Sequence, residues 1–373
     1  MPTSPLQTAH ATAQDTSEMV FRPPQATEAQ ILGCLWGLAL GDAVGLPREG
    51  IPSRRAFRLF GAAPIEHAFV GRYGMISDDT EHHCMTAQAW LAAQGDPQRF
   101  GRSLAWRLRG WLIGLPAGVG FATLRAILKL WVGFPPHQSG VFSAGNGPAM
   151  RAPILGLVCH DLDQLRRFVK ISTRLTHTDP QAEAGAFLIA CAARLHAGLL
   201  SPSAPNRAPC ERLDQLMPYA EGDALRDALL TVRKYLSQDA DAAEVSTALG
   251  LQRGVTGYIN HTVPIAIFCW LRHLGDLRTA VEAAIRLGGD TDTVGAIVGG
   301  IAGANTPPEQ MPTSWRSELR DIPRSLAWMK QLAHALAHAL PPVKLAWPLL
   351  PLRNAFFFCV VLLHGLRRLF PPY

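Results

Sequence analysis

The stretch GGDTDTVGAIVGGIAG, residues 288–303, decides the fold class of this chain. A Gly-Gly turn with paired acids leads into an apolar run, which predicts the last helix of the core, starting near Asp292. The run contains four glycines, and each costs roughly 1 kcal/mol relative to alanine inside a helix. Such a helix is stable only when it is buried against close neighbours, so we expect a core of tightly packed helices.

Helical signals recur along the rest of the chain. Thr27 and Gln30 have the spacing of a capping box, which begins an apolar helix through Leu40. Asp179-Pro180 is typical of an N-cap followed by proline at the first helical position. Further helices are predicted over 77–93, 97–112, 119–132, 162–172, 180–196, 223–236, 261–271 and 276–287, and residues 200–209 are predicted to form a surface loop. Because no alternating strand series, βαβ order or internal repeat is visible, we predict an all-α fold, a single compact multi-helix domain over residues 26–340.

Composition restricts the class of protein. The chain has 373 residues, of which 48% are hydrophobic, enough for one large domain or two ordinary ones. The net charge is +6, but only 17% of residues are charged, and the basic residues form no long run. We therefore expect no nucleic-acid partner.

The seven cysteines are widely scattered and none forms a C-x-x-C pair. This pattern argues against a disulfide framework and against a zinc site, and it favours a reducing, cytoplasmic location. Residues 1–25 lack the basic start and apolar block of a signal peptide. Their polar composition predicts a disordered N-terminal arm.

The C-terminal segment, residues 341–373, is unusually apolar. Its unbroken apolar run, residues 355–363, is shorter than the roughly 20 residues that a membrane-spanning helix needs. Arginines at 353, 367 and 368 flank the run. Two interpretations stay open: a tail helix that packs on the domain or a partner subunit, and an interfacial helix that gives peripheral membrane contact.

Two acidic segments carry the strongest chemical signal. Ser77-Asp78-Asp79-Thr80 and Asp290-Thr291-Asp292-Thr293 each place paired acids and hydroxyls where an apolar helix begins. Helix capping accounts for one acid in each pair but less well for two, because neighbouring like charges repel. Oxygen ligands without cysteine suit Mg²⁺, Mn²⁺ or Ca²⁺. His82 and His83 are either further ligands or, as we favour, residues of the core.

Two other segments are candidates for substrate contact. Residues 41–49 end the first apolar helix with small residues and carry Asp42 and Glu49, although Asp42 also fits an ordinary helix end. Residues 143–151 form a glycine-containing turn that exposes backbone N–H groups before a possible helix, with Arg151 adding positive charge. That turn is a reasonable cradle for phosphate.

Together these segments resemble the ADP-ribosylglycohydrolase family, and the resemblance covers about residues 27–305. The matching motifs stand in the family's order: Gly41-Asp42-x-x-Gly45-x-x-x-Glu49, Ser77-Asp78-Asp79-Thr80, Gly145-Asn146-Gly147-x-x-Met150-Arg151, Thr176-His177 and Gly289-Asp290-Thr291-Asp292-Thr293. The resemblance implies an all-α fold with two Mg²⁺ or Mn²⁺ ions in a central cleft.

The resemblance also implies roles for particular residues. The metal-ligand positions are matched by Ser77, Asp78, Asp79, Asp290, Asp292 and Thr293. The substrate-binding positions are matched by Ser143, Gly145, Asn146 and Gly147 for a diphosphate, and by His177 near a ribose. Glu49 matches a glutamate that borders the cleft. In the family the substrate carries ADP-ribose on a protein side chain or small molecule.

The implied reaction is hydrolysis of the N- or O-glycosidic bond of ADP-ribose. Asp78 or Glu49 could take the proton of the attacking water, and the residues alone do not distinguish them. The alternative is a non-catalytic protein that binds ADP-ribose or neutralises an ADP-ribosylating toxin. The acceptor stays open, and Tyr258 is a candidate aromatic for the adenine pocket.

Overall fold

Two glycine-bearing helices, α1 (Glu28–Gly45) and α15 (Thr291–Gly303), lie in backbone contact at the centre of the protein. A Cβ atom added to Gly37 would lie 2.2 Å from the carbonyl oxygen of Gly299, and one on Gly41 would lie 2.1 Å from that of Gly295. No side chain larger than hydrogen fits at these crossings. The prediction that the glycine-rich helix is buried against close neighbours is therefore confirmed.

The computed structural model describes residues 22–62, 64–200 and 207–372. The other helices of the described residues are α2 (Ser53–Phe60), α3 (Asp78–Ala93), α4 (Pro97–Ile113), α5 (Phe121–Trp131), α6 (Gly147–Met150), α7 (Pro153–Val158), α8 (Leu162–Arg174), α9 (Pro180–His196), α10 (Pro209–Leu216), α11 (Asp223–Ser237), α12 (Ala242–Ala248), α13 (Ile259–Arg272), α14 (Leu277–Ile285), α16 (Thr313–Glu318), α17 (Leu326–Ala337) and α18 (Leu350–Arg367). The all-α prediction is confirmed.

The predicted helix starts agree closely with the structure. Thr27 and Gln30 form the predicted capping box, and Asp179 caps α9 by accepting a hydrogen bond from the backbone N–H of Gln181 at 2.9 Å. Most of the arm predicted at residues 1–25, and residues 201–206 of the predicted surface loop, lie outside the described residues. The loop ends at Ala208, since Pro209 already begins α10.

Two helix predictions need correction. The first apolar helix does not end at Leu40 but continues to Gly45, because packing on α15 keeps its glycines helical. The helix at Asp292 is not the last of the core. α17 follows it and packs on α1, burying Met329, Leu332 and Leu336, three residues that repeat at helical spacing.

A small antiparallel pair joins two segments that are distant in the chain. Strand β1 (Ile51–Pro52) follows Glu49, and strand β2 (Gly288–Gly289) precedes Asp290. Gly288 and Gly289 have φ values of 74° and 84°, and a Cβ on Gly289 would lie 2.0 Å from the carbonyl oxygen of Val255. The Gly-Gly turn is therefore required for this pairing, which brings the Glu49 segment next to the start of α15.

Candidate active site

Asp42, on the buried face of α1, organises the start of α3. Its Oδ2 atom accepts hydrogen bonds from the backbone N–H of Ser77 at 2.9 Å and of Thr80 at 3.2 Å, and from the Thr80 hydroxyl. Ser77 in turn caps α3. The interpretation of Asp42 as an ordinary helix end is wrong, because its carboxylate holds the first acidic segment in place.

Asp79 connects the two acidic segments. Its Oδ2 atom accepts a hydrogen bond from the Ser77 hydroxyl at 3.1 Å and another from the Thr293 hydroxyl, on α15, at 3.2 Å. The backbone N–H of Thr293 donates to Asp292 Oδ1 at 2.9 Å. The fold therefore brings together side chains separated by more than two hundred residues in sequence.

The acids of this cluster disfavour one another's ionisation. Burial first, and then the charges of Asp78 and Asp42, raise the pKa of Asp79 well above its usual value. Burial, followed by Glu49 and Asp79, does the same to the pKa of Asp292. The pKa of Asp78 is raised by burial and then by Asp42 and Glu49. So many carboxylates in one place require protons or cations between them.

The donor set fits a hard divalent cation. The Oδ1 atoms of Asp42 and Asp79 are buried and accept no hydrogen bond from the described residues. An unpaired buried carboxylate oxygen is costly. Carboxylates with neighbouring Ser and Thr hydroxyls are the oxygen ligands that Mg²⁺ and Mn²⁺ take in proteins. The prediction of these residues as ligands therefore remains chemically consistent.

Glu49 lies at the edge of the acidic cluster. Desolvation by the surrounding protein first, and the charge of Asp290 second, raise its pKa, although the residue as a whole is exposed. The charge of Arg368 and a hydrogen bond with Asp292 oppose the rise. Glu49 is thus close enough to the predicted ligands for their charges to change its pKa, and it is still exposed to solvent.

The predicted diphosphate segment adjoins the acids. The side-chain amide of Asn146 donates to Asp290 Oδ2 at 2.6 Å and to the Thr262 hydroxyl at 3.0 Å. The Ser143 hydroxyl accepts from the backbone N–H of Gly145 at 3.3 Å. Nothing in the sequence identified Thr262, because it lies on α13, 116 residues from its partner.

His177 covers the glycines of this segment. Its Nδ1 atom is hydrogen-bonded to the Thr176 hydroxyl at 2.8 Å, and a Cβ added to Gly145 would lie 2.9 Å from its Nε2 atom. Burial, and then the charge of Arg151, lower the pKa of His177 to about 3. The imidazole is therefore neutral at physiological pH and can act as a hydrogen-bonding group.

Arg151 lies behind the cradle and makes no exposed contact surface there. It is fully buried and donates to the Gly147 carbonyl, to the Ser172 hydroxyl and carbonyl, and to the Thr176 hydroxyl. Its guanidinium holds the turn and the His177 segment together from inside the protein, and its charge acts on the site by lowering the pKa of His177.

His82 and His83 occupy the core, as favoured. His83 Nδ1 is 3.3 Å from the Met150 carbonyl oxygen, and His82 packs edge-on against Trp111 with ring centroids 4.4 Å apart. Tyr258 directly precedes α13 and pairs with Gly145, and its hydroxyl donates to Gln181 Oε1 at 2.5 Å. Its half-buried ring stays a candidate for the adenine pocket.

The tail helix α18 reaches both sides of the site, which sequence analysis did not predict. Arg353 pairs with Asp321, with Nη2 to Oδ2 at 2.8 Å, and donates to the carbonyl of Ile76, next to Ser77. Arg368 donates to the Pro47 carbonyl at 3.4 Å, near Glu49. Phe357 and Val360 pack with Leu46, Phe69 and Met75 in a small apolar cluster.

A separate cavity holds none of the predicted site residues. It lies among α2, α12 and α14, where its lining includes Phe57, Ser246 and Glu282. It contains no concentration of carboxylates comparable to that at the starts of α3 and α15, so the acidic cluster remains the better candidate for chemistry.

Comparisons with known proteins agree with the motifs. The ADP-ribosylglycohydrolase family model matches residues 23–344. ADP-ribosylhydrolase ARH3 of Gallus gallus is 30% identical over 341 residues, covering 79% of this chain and 89% of the relative. An uncharacterized protein of Archaeoglobus fulgidus is 29% identical over 302 residues, covering 79% of this chain and 92% of the relative.

The chain is also similar to a solved structure titled ADP-ribosylglycohydrolase-related protein complex. The identity is 26% and the TM-score 0.59, and the match covers 84% of this chain and 98% of the solved one. The family match ends at residue 344, before α18 begins at Leu350.

Proposed function

This chain belongs to the ADP-ribosylglycohydrolase family, and from that premise we propose that it hydrolyses the glycosidic bond between ADP-ribose and its acceptor with two divalent cations. The observation that carries the proposal is the joining of both acidic segments through Asp79, which accepts from Ser77 and Thr293. A pure helix-capping role would leave the segments independent.

Six residues would hold the cations, Mg²⁺ or Mn²⁺: Ser77, Asp78, Asp79, Asp290, Asp292 and Thr293. Bound cations would supply Lewis-acid stabilisation and lower the pKa of a coordinated water. The raised pKa values of the acids support this assignment, because ionised carboxylates crowded together need positive charge beside them.

The chain itself provides two candidate proton acceptors. Asp78 is half-buried within the cluster, and Glu49 is exposed at its edge. Burial first raises the pKa of each, and a raised pKa suits a carboxylate that accepts a proton from water. No protein nucleophile is required for this hydrolysis.

The segment from Ser143 to Gly147 would hold the diphosphate. Gly147 begins α6, and His177 Nε2 faces the glycines from the other side. Because His177 is neutral, it would orient a ribose or phosphate oxygen by a hydrogen bond instead of by charge. Asn146 would fix the distance between this segment and Asp290.

The test is a panel of ADP-ribosylated arginine peptides, serine peptides and small-molecule esters, each incubated with Mg²⁺ or Mn²⁺. We expect release of ADP-ribose from at least one acceptor, and a loss of about a hundredfold or more in Asp290→Asn. Asp241→Asn is the matched control, because Asp241 is an exposed N-cap of α12 and asparagine preserves capping.

Two results would contradict the proposal. One is ADP-ribose binding without release from any acceptor, which would favour the non-catalytic alternative. The other is Asp290→Asn turning over substrate at the wild-type rate, since the acidic cluster would then not be the reaction centre.

A further inference from the structure

A second group of metal-ligand side chains lies where the start of α1 meets the end of α17. Glu28 Oε2 is 3.0 Å from His334 Nδ1 and 3.3 Å from His338 Nε2. Among the described residues, these form a triad whose three ligand atoms all lie within 4.8 Å of one another. None of them belongs to the acidic segments.

The spacing matches a transition-metal site. A tetrahedral Zn²⁺ with Zn–N and Zn–O bonds of about 2.0–2.2 Å places its ligand atoms roughly 3.3–3.5 Å apart. The Glu28–His338 separation of 3.3 Å falls in that range, and the Glu28–His334 separation of 3.0 Å is shorter; without an ion, both are hydrogen bonds. His334 lies in the last turn of α17 and His338 is the residue that follows the helix, and their ring centroids are 4.5 Å apart. Two imidazoles and one carboxylate suit zinc better than magnesium.

We propose that Glu28, His334 and His338 bind a Zn²⁺-like ion that fastens the first turn of α1 to the last turn of α17. The scattered cysteines argue only against a zinc site with thiolate ligands, and this triad contains no cysteine. Each side chain is partly exposed, by 37% for Glu28 and 55% for each histidine, so water could complete the coordination. The ion would join two ends of helices that already pack together.

The test is calorimetric titration of metal-free protein with Zn²⁺, in the wild type and in the Asp290→Asn background, which weakens the acidic cluster. We expect one equivalent of Zn²⁺ to bind in the Asp290→Asn background and at least one in the wild type. In the Asp290→Asn background, His334→Ala and His338→Ala should each reduce the affinity about tenfold or more. His273→Ala, at the end of α13, is the control and should bind normally.

Equal Zn²⁺ affinity in all variants would overturn the proposed triad, as would loss of binding in Asp290→Asn alone. The latter result would place zinc in the acidic cluster and leave the hydrolase proposal standing. Circular dichroism of each variant separates loss of ligand from loss of folding.

The outer face of α18 carries an independent inference, because large apolar side chains cover it. The helix packs on the domain through five buried residues, Leu350, Arg353, Asn354, Phe357 and Val360. Large apolar side chains face outward with exposures of 51–71%: Leu352, Phe356, Phe358, Leu362, Leu363, Leu366, Leu369 and Phe370. Apolar surface of this extent, on α18 and the residues that follow it, indicates a partner other than water.

This face continues onto α4. Gly110 contacts the segment before α18, since a Cβ there would lie 3.4 Å from the ring of Trp347. Trp106, exposed by 65%, and Ile113, exposed by 54%, lie on the same side of α4 as Gly110 by helical spacing. The Arg109 guanidinium lies 4.7 Å from the Trp106 ring centroid. The surface thus combines aliphatic, aromatic and basic groups.

Charge identifies the partner. The segments that supply this surface, residues 97–113 and 344–373, contain eight Lys and Arg residues and no Asp or Glu, whereas the rest of the chain holds more acids than bases. Of the eight, Arg353 is buried. Exposed basic residues flank the apolar ones at Arg102, Lys344 and Arg367. Apolar side chains bordered by positive charge match the interface of an anionic bilayer.

We propose that this face, formed by α18, Trp347 and the Trp106 side of α4, binds the surface of an anionic membrane. α18 would lie in the interface. The helical segment over residues 347–367 is long and apolar enough to cross a membrane, with a mean hydropathy of 1.7. However, the buried Arg353–Asp321 ion pair holds it against the domain. The other helix that passes the same measure, α1 with its extension to Arg48, is 83% buried in the core.

The test is flotation with vesicles of phosphatidylcholine alone or mixed with phosphatidylglycerol, at low and high salt. We expect binding to the mixed vesicles, weakened by salt, and at least a tenfold loss in Leu363→Glu/Leu366→Glu. Leu230→Glu on α11, exposed by 53%, is the matched control and should bind like the wild type.

Failure of the wild type to float with either vesicle would overturn the membrane assignment. A second result would also overturn it. If light scattering showed a wild-type dimer that became a monomer in the double variant, while flotation stayed the same, the face would join two copies of the chain. Circular dichroism confirms that both variants remain folded.

Discussion

Asp42 shows how one buried carboxylate positions a site at which it is not a predicted ligand. It accepts from two backbone N–H groups and one hydroxyl at the start of α3. Asp42→Ala would leave these three donors buried without an acceptor, so we expect a loss of about 3 kcal/mol in the free energy of unfolding. Chemical denaturation measures it, and Mg²⁺ calorimetry should show weakened binding.

Asp96→Ala provides the comparison for Asp42. Asp96 is also a cap, on α4, but it is partly exposed, so its loss should cost only about 1 kcal/mol and leave Mg²⁺ affinity unchanged. Equal losses in the two variants would mean that Asp42 is an ordinary cap.

His196 makes stability depend on pH. Burial first, and Arg212 second, lower its pKa to about 3 from the usual 6.5, and its ring packs against Trp270. Below pH 6.5, His196 therefore binds a proton in the unfolded chain but stays neutral in the folded protein. This contribution to stability is present above pH 6.5 and is lost as pH falls.

Between pH 6.5 and about pH 5, the free energy of unfolding should fall by about 2 kcal/mol less in His196→Gln than in the wild type. Urea denaturation at several pH values measures the difference, with the exposed His137→Gln as control. Parallel pH curves for the wild type and His196→Gln would show that burial does not suppress protonation.

At the scale of elements, the α1–α15 pair depends on its glycines. A Cβ on Gly299 would lie 2.1 Å from the Gly37 carbonyl oxygen, so α1 and α15 would have to move apart to admit it. We expect Gly299→Ala to lose about 3 kcal/mol or more in the free energy of unfolding, measured by urea denaturation.

Gly365→Ala is the matched control for this contact. Gly365 is also helical, in α18, but nothing lies within 4 Å of a Cβ there, so alanine should stabilise the protein by up to about 1 kcal/mol. Similar stabilisation by both substitutions would show that the α1–α15 contact is loose.

The Arg353–Asp321 pair connects α18 to the first acidic segment. Both side chains are almost wholly buried, and Asp321 Oδ2 also accepts from the backbone N–H of Ile76 at 3.1 Å. Arg353→Met would leave a buried, uncompensated carboxylate, which costs about 3–5 kcal/mol in the free energy of unfolding. Urea denaturation tests this, with the exposed Arg367→Met as control.

A second substitution separates charge from packing. Because Asp321→Asn removes the stranded charge, the double variant Arg353→Met/Asp321→Asn should recover much of the loss. If it were as unstable as Arg353→Met alone, the effect would come from lost packing of the arginine stem.

At the scale of the whole molecule, cation binding should stabilise one cooperative unit. The predicted ligands come from α3 and α15, which both pack on α1. An ion at a hundred times its Kd adds about 2.7 kcal/mol to the free energy of unfolding. We expect Tm to rise with Mg²⁺ in the wild type but not in Asp290→Asn, measured by scanning calorimetry. An equal rise in both would place the bound ion elsewhere.

Much of this protein could be predicted from local patterns. The capping box at Thr27, the Asp179-Pro180 start and the glycine-rich helix after Asp290 are short-range signals, and each lies where expected. The error at Leu40 arose because helix ends depend on tertiary packing. α17 was not predicted, although its buried apolar residues Met329, Leu332 and Leu336 repeat at the spacing of a helix.

The sequence by itself determined the helical class, the motif order and the acidic residues, because spacing and residue type are local properties of the chain. Only the tertiary structure decided which groups meet. It joined Asp79 to Thr293, used the buried Arg151 guanidinium to hold the glycine turn, and placed Arg353 and Arg368 beside the site. Such contacts cross long stretches of chain, and no local pattern encodes them.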